Sequence, residues 1–429
     1  MPIRLALIGC GRISRRHVLA MKDLQERGRG DFVVNAVCDA NGQAASERAD
    51  MFEELLGERP VVYGTHQELL SKAQVDAADL CLPHGLHHSI AVDCMEAGLH
   101  VLCEKPLGIT IKACRLMIET AERTGRVLST AAPHRRQPGQ RTVKWVFDAS
   151  GLIGTPLSFF HQYRSSAVLP GGPGQASSQP NPAQLWGQQA GGSDEPLPSH
   201  KRWRRDKLMS GGGPVLDSGF HYCDSMRYFF GEVDSVYAVV RSVKTGKPQS
   251  FAEAPEDTVF VTLTFENGVA GTWAWSLAAP GEDAYDVTFY GSQGSLRDTT
   301  AAPFSIFHLF QRTPQKDETA RLECADGTVY SMQELEKMHR ASLSQEEEEE
   351  LYPGGATDGF SIEIWEFLEI LRGNKSAPEI DGWEGMRSLA LGDAIYESGL
   401  TGEVVKVEDV LNGTRSAFQD PIDEHWDLT

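Results

Sequence analysis

The chain predicts an α/β fold in two parts: an N-terminal doubly wound parallel sheet, then an α+β domain with a mainly antiparallel sheet. Three observations predict it. Short apolar runs alternate with segments of helical period up to about residue 130. Gly9, Asp39, Pro83 and Lys105 all fall where such runs stop. Beyond residue 155 the apolar runs follow one another, with Glu266-Asn267-Gly268 as a hairpin signal between two of them. Alternating strand and helix implies crossovers and parallel pairing, whereas consecutive strands joined by tight turns pair antiparallel.

Residues 3–8 are an apolar run suited to a strand covered on both faces. It stops at Gly9-Cys10-Gly11-Arg12-Ile13-Ser14, after which His17, Val18, Met21 and Leu24 keep helical spacing. Gly9 permits a tight turn, and Gly11 lets the backbone approach a pyrophosphate whose charge sits at a helix N-terminus. Arg12 and Ile13 complete this expected cofactor turn. Ser14 stands where a third glycine would be, so the fingerprint is incomplete. Residues 32–38 form the next strand and end at Asp39, placed to read a ribose hydroxyl. The competing reading is a helix cap. Asp39 lies 28 residues past Gly11, against a usual spacing of roughly 20, and the polar loop at 27–31 takes up the excess. An acidic group here repels a 2′-phosphate, which predicts NAD over NADP, with Arg12 as the residue that would accept the extra phosphate.

The alternation continues. Residues 61–63 are extended, 67–72 helical, and 77–82 a strand running into Pro83-His84-Gly85-Leu86-His87-His88. A helix through Ile90, Val92 and Met95 stops at Gly98, and the strand at 100–103 runs straight into Glu104-Lys105-Pro106. A helix over 112–124 and a strand over 127–130 close a first domain at 1–130, leaving 131–429 to the second. In such a sheet the ligand lies at the carboxyl ends of the strands. Cys81, His84, His87 and His88 have spacing that could hold zinc, but a place beside the cofactor is the preferred reading and no metal is expected.

Composition narrows the class. The chain has 429 residues, 41% of them hydrophobic, enough for two domain cores. A formal charge of −20 argues against a nucleic-acid backbone as partner, since phosphates would be repelled. Eight cysteines are scattered, several in apolar runs, the pattern of reduced buried thiols. No run is long enough to span a bilayer, and the apolar start ends too early for a signal peptide, so a cytoplasmic location is expected.

In the second part, residues 155–163, 233–243, 258–265, 269–277 and 287–290 read as strands, and a helix follows His221 through Cys223, Met226, Tyr228 and Phe229. One sheet face is expected to cover that helix and the other to meet a second subunit, giving a homo-oligomer. Residues 166–200 are rich in Gly, Pro, Ser and Gln and are expected at the mouth of the site or as a surface excursion. The segment 303–358, with Glu346 to Glu350, is an insertion whose charge run reads as a solvated face or disordered patch. Two clusters carry the chemistry: Glu104-Lys105-Pro106 and Asp217-Ser218-Gly219-Phe220-His221. Lysine, aspartate and histidine are what drawing a proton from an alcohol requires as a hydride leaves its carbon.

The series Gly9-x-Gly11, Asp39, Pro83-His84-x-x-His87, Glu104-Lys105-Pro106, Gly211-Gly212-Gly213 and Asp217-x-Gly219-x-His221 resembles the glucose-fructose oxidoreductase, inositol dehydrogenase and MocA family. Tyr290-Gly291-Ser292-Gln293-Gly294-Ser295-Leu296 and the closing helix from Gly382-Trp383-Glu384 extend the resemblance over most of the chain. It implies an NAD-binding Rossmann domain and catalytic roles for Lys105, Asp217 and His221: the lysine near the reacting hydroxyl and the histidine as acid/base. It also implies assembly through the sheet, as a dimer or tetramer. Glu104 is expected at the nicotinamide ribose, and Pro106 in a cis turn. His84 stands where the family usually has Asn. Arg135, His161, Arg164, Trp203 and Arg204 are expected beside Lys105, Asp217 and His221 in a pocket for a sugar, glycoside or polyol, oxidised at ring carbon 3 as one family-type reaction. The alternatives are an inositol dehydrogenase, an NAD-recycling glycosidase or lyase, and a non-catalytic ligand sensor.

Overall fold

The computed structural model describes residues 2–164, 203–243, 255–279, 284–298 and 320–428. The loop at 166–200 and the start of the 303–358 segment lie outside the described residues. The chain forms two compact units: Met1–Gln137 with Leu343–Arg387 and Leu428–Thr429, and Pro138–Ser342 with Ser388–Asp427. The boundary read from the sequence at residue 130 therefore falls inside the first unit, to which the chain returns after residue 342.

The first unit holds a six-stranded, wholly parallel sheet: β1 (Ile3–Ile8), β2 (Phe32–Cys38), β3 (Val61–Tyr63), β4 (Ala77–Leu80), β5 (His100–Glu104) and β6 (Leu128–Ala131). Their spatial order is β3-β2-β1-β4-β5-β6. The order reverses at β1, so a crevice opens at the carboxyl ends of β1 and β4. The crossovers are α1 (Ser14–Glu26), α2 (Gly42–Leu56), α3 (His66–Lys72), α4 (His87–Glu96) and α5 (Ile111–Thr124). Local chemistry marks their ends. The Asn41 side chain accepts the N–H groups of Gln43 and Ala44 at the start of α2, and Thr110 accepts that of Ala113 at the start of α5. By contrast α1 has no side-chain cap.

The returning segment covers this sheet. The helix Gly359–Leu371 is buried along nearly its whole length, and it approaches so closely that a Cβ on Gly359 would lie 2.1 Å from the Pro133 carbonyl oxygen. Arg136, fully buried, is held by Glu366 at 2.5 Å, Glu363 at 3.8 Å and Glu379 at 4.0 Å. The Glu346–Glu350 run lies in the helix Gln345–Leu351, started by a Ser344–Glu347 capping box. It is an ordered, solvated helix face with Lys375 beside Glu350.

The second unit is built on a nine-stranded sheet, in the order β14-β13-β12-β11-β7-β10-β9-β8-β15. Its strands are β7 (Pro156–Arg164), β8 (Val233–Arg241), β9 (Thr258–Phe265), β10 (Ala270–Ser276), β11 (Ala284–Gly291), β12 (Gly294–Asp298), β13 (Arg321–Cys324), β14 (Val329–Ser331) and β15 (Val405–Lys406). Every pairing is antiparallel except β7 with β10. The expected hairpin is present: Gly268, at φ 88°, turns the chain between β9 and β10. Side chains alternate across the sheet. Phe159, Phe265 and Phe289 are buried against the helix Gly219–Phe230, where Phe230 stacks on Phe159 at 5.6 Å. Gly271 leaves room for that ring, since a Cβ there would sit 2.4 Å from Phe159. The opposite face exposes Phe160, Tyr237, Phe260 and Tyr290. All eight cysteines are free thiols, seven of them buried, and no described helix is long and apolar enough to cross a membrane.

Candidate active site

The turn after β1 is built around Gly9, whose φ of 96° suits glycine. A Cβ at Gly9 would lie 2.3 Å from the Cys81 carbonyl oxygen, so the ends of β1 and β4 meet only because none is there. The Gly9 N–H donates to the Cys38 carbonyl at 2.8 Å. Asp39, at the end of β2, uses both carboxylate oxygens locally: Oδ2 accepts the Cys10 N–H at 2.7 Å and Oδ1 the Asn41 N–H at 2.8 Å. At Gly11 nothing lies within 4 Å of where a Cβ would be. An open glycine before an uncapped helix start fits a pyrophosphate. Sequence reasoning missed Arg48, whose Nη2 reaches the carbonyl oxygens of Cys10 at 3.4 Å and Gly11 at 3.2 Å. No local signal pointed to a residue one helix further along.

The second row of the crevice comes from β4 and β5. Lys105 follows β5 directly and is half-buried, and the Lys105–Pro106 bond is cis, as expected. Glu104 accepts the Lys105 N–H on Oε2 at 3.0 Å. His87 is fully buried. Its Nδ1 lies 2.9 Å from the Pro106 carbonyl and its Nε2 3.0 Å from that of Leu82, so the ring sits between the two turns and, when neutral, donates to one of them. Burial lowers its pKa, and pushes that of the neighbouring His88 down to about 4. His84 is buried beside His87, with ring centroids 5.8 Å apart. Among the described residues, metal-capable atoms converge at His17, Asp79 and Cys81, within 4.8 Å of one another. Of the four residues whose spacing suggested zinc, only Cys81 belongs to that group.

In the second unit, Asp217 ends a single helical turn, Pro214–Asp217, and His221 lies in the first turn of Gly219–Phe230. Arg204 Nε donates to Asp217 Oδ2 at 3.0 Å, and its guanidinium sits over the Trp203 ring at 4.2 Å. The sequence-adjacent pair and the aspartate are thus brought together. Glu256 holds the turn: Oε1 accepts the Val215 N–H at 2.7 Å and the Tyr396 hydroxyl at 2.8 Å, while the Tyr396 oxygen accepts the Gly213 N–H at 2.9 Å. The glycine run is what permits this approach, since a Cβ on Gly213 would meet Glu256 at 2.4 Å.

The other expected pocket residues are placed less uniformly. His161 faces the helix side of β7, stacked on Tyr222 at 5.2 Å and against Tyr285 at 5.4 Å, and burial pushes its pKa down to about 3. It is a neutral part of the aromatic layer. Alternation along β7 puts Arg164 on the other face, with Phe160 and Gln162. The structure does not bring it to the His161 side, because one residue of register separates the two faces. Arg135 is buried in the first unit and donates to Glu384 at 3.1 Å.

Two family models match the chain. One is described as "Oxidoreductase family, NAD-binding Rossmann fold" and covers residues 3–132; the other is "Oxidoreductase family, C-terminal alpha/beta domain" and covers 191–407. The chain is similar to D-apiose dehydrogenase of Paraburkholderia graminis, 26% identical over 410 residues, 94% of this chain and 90% of the relative. It is also similar to D-glucoside 3-dehydrogenase of Escherichia coli, 26% identical over 282 residues, 62% of this chain and 68% of that one. The structure of levoglucosan dehydrogenase in complex with NADH and levoglucosan superposes with a TM-score of 0.68 at 21% identity, covering 95% of this chain and 100% of that one.

Proposed function

The chain belongs to the Gfo/Idh/MocA oxidoreductase family, and we propose that it is an NAD-dependent dehydrogenase oxidising a ring hydroxyl of a sugar or glycoside, with carbon 3 the first position to test. The observation that carries the reading is the single row of groups at the carboxyl ends of parallel strands. The open turn Gly9–x–Gly11, Asp39, Pro83 and the Glu104–Lys105 pair share that edge of one sheet. Relatives acting on D-apiose and on D-glucosides support a sugar-like substrate.

The residues suit the chemistry. NAD, when bound, would supply the hydride acceptor for the carbinol carbon, which leaves the hydroxyl proton for this chain's own residues to take. His221 is assigned as its acceptor and Asp217 as the group that orients the imidazole. Lys105 is assigned to stabilise charge developing on the oxygen. Arg204, between Trp203 and Asp217, offers a fixed donor beside an aromatic face, the pairing that a polyol ring matches through its hydroxyls and its CH face. Gly9, Gly11, Arg12, Ile13 and Asp39 would hold the pyrophosphate and adenosine ribose, and Glu104 the nicotinamide ribose.

Purified protein with NAD, screened against D-glucosides, D-apiose, levoglucosan and myo-inositol, tests the reading through NADH absorbance. Accumulating NADH supports a net dehydrogenase. Glycoside cleavage without NADH supports the NAD-recycling alternative, and bound NAD with no turnover of any sugar would sink the proposal. The exposed Phe160, Tyr237, Phe260 and Tyr290 on one sheet face support a homo-oligomer, for which light scattering should return a multiple of the 47.1 kDa chain mass.

A further inference from the structure

A buried charge relay runs from the middle of the parallel sheet to the reacting edge. His17 on α1 is fully buried, with Nδ1 2.9 Å from Asp79 Oδ2 and Nε2 3.1 Å from Glu104 Oε1. A neutral imidazole has one donor and one acceptor nitrogen, so carboxylates at both nitrogens call for two N–H donors, the imidazolium. Glu104 then presents its other oxygen to the Lys105 N–H at 3.0 Å. Asp79 lies mid-strand in β4 between Ala78 and Leu80 and is almost fully buried. The parallel sheet itself gives no reason for a carboxylate there: a well-packed apolar residue at such a site usually does as well or better for stability.

We propose that His17 is a positioning residue for hydride transfer, a buried cation clamped by Asp79 that fixes the Glu104 carboxylate and, through it, the Lys105 turn; this rests on the dehydrogenase reading of the site. The titratable groups facing the ring are Asp79 and Cys81 at β4, Glu104 at β5, and Glu363 from the helix Gly359–Leu371, which also packs Phe360 edge-on at 5.5 Å. Burial alone would discharge the imidazole, but the negative charge of Asp79 and its hydrogen bond to the ring outweigh it, and the net pKa is raised well above the ordinary value. Burial pushes the pKa of Glu363 up, against the opposing pull of Arg136 and His17. The clamp has a use. Alcohol oxidation releases a proton and is favoured at alkaline pH, where an unclamped histidine, with a pKa of about 6.5, is uncharged.

The test uses the full-length protein, NAD as the probe, and the variants Asp79→Asn and His17→Gln. NAD affinity is read from quenching of tryptophan fluorescence between about pH 6 and about pH 9, a window that brackets an ordinary imidazole. Circular dichroism and gel filtration check the fold. Wild type should bind NAD without a histidine limb in this window. Asp79→Asn, its imidazolium no longer clamped, should match wild type at the acid end and lose NAD affinity about 10-fold as pH rises through the released histidine. A drop of that size corresponds to removing one charge-assisted hydrogen bond. His17→Gln should be weak at every pH. If it fails to fold, Asp79→Asn alone decides, because a purely structural role moves stability and not the pH profile of binding. A folded Asp79→Asn protein whose profile superposes on wild type overturns the inference. So does stoichiometric zinc in the wild-type protein that His17→Gln loses, since ligation takes the imidazole as a neutral base. Wild type that binds no NAD at any pH refutes the dehydrogenase reading itself, recognisable without either variant.

Discussion

Replacing Glu256 by Gln should change the pH dependence of stability in a way the site's geometry specifies. Glu256 is fully buried, and burial raises its pKa from 4.5 to about 7, although the Val215 N–H and the Tyr396 hydroxyl both donate to it. Below the unfolded-state value the carboxyl is protonated in both states and contributes no slope. Between the unfolded and folded values the unfolded chain ionises while the folded one holds its proton, so folding stability falls as pH rises. Above about 7 both states are ionised and the loss is complete. A shift of this size is worth about 3 kcal/mol at roughly 1.4 kcal/mol per pH unit. Glutamine keeps an oxygen acceptor for both donors but does not titrate. Its buried NH₂ costs about 1–3 kcal/mol at every pH if unpaired, which offsets the curves without tilting them. Urea unfolding of wild type and Glu256→Gln at a series of pH values isolates the effect, since other groups titrate alike in both. The variant should gain on wild type from about pH 4.5 to about pH 7 and hold the gain above that. Parallel curves would refute the reasoning, because Glu256 would then not be a carboxyl raised by burial.

Three further outcomes follow from the site. NAD should bind more tightly than NADP by calorimetry, and Asp39→Ser should narrow the gap from both sides, because Asp39 also holds the Cys10 and Asn41 N–H groups of the turn; equal wild-type affinities would shift the argument to Arg12 and Arg48. Lys105→Met and His221→Ala should leave NAD affinity within a few-fold while lowering turnover by about 10² to 10⁴, and near-normal turnover in either removes its assigned role. Arg136→Met should cost the first unit about 3–5 kcal/mol in a thermal or urea transition, since it strands Glu366 in the core without its partner; a loss below about 1 kcal/mol would mean the ion pair is solvated.

What the sequence determined by itself was local or periodic. Residues 3–8, 32–38 and 100–103 are apolar because a parallel strand is covered on both faces, and the end of each run marks the edge where a ligand binds. Gly9, Asp39, Lys105 and the Asn267–Gly268 turn were legible because each meets a backbone or charge requirement set by its immediate neighbours. The tertiary structure alone decided what depends on distant partners. Arg48 reaches the Gly11 carbonyl from 37 residues away, and the chain returns at Leu343–Arg387 to cover the first sheet and pair Arg136 with Glu366. Arg164 falls on the opposite face of β7 from His161, because residues an odd number apart along one strand point to opposite faces. Asp79 reads as a polar flaw in an apolar strand until folding sets His17, 62 residues earlier, against it. A carboxylate in a dry core is tolerable only beside its counter-charge, and only three-dimensional packing brings the two together.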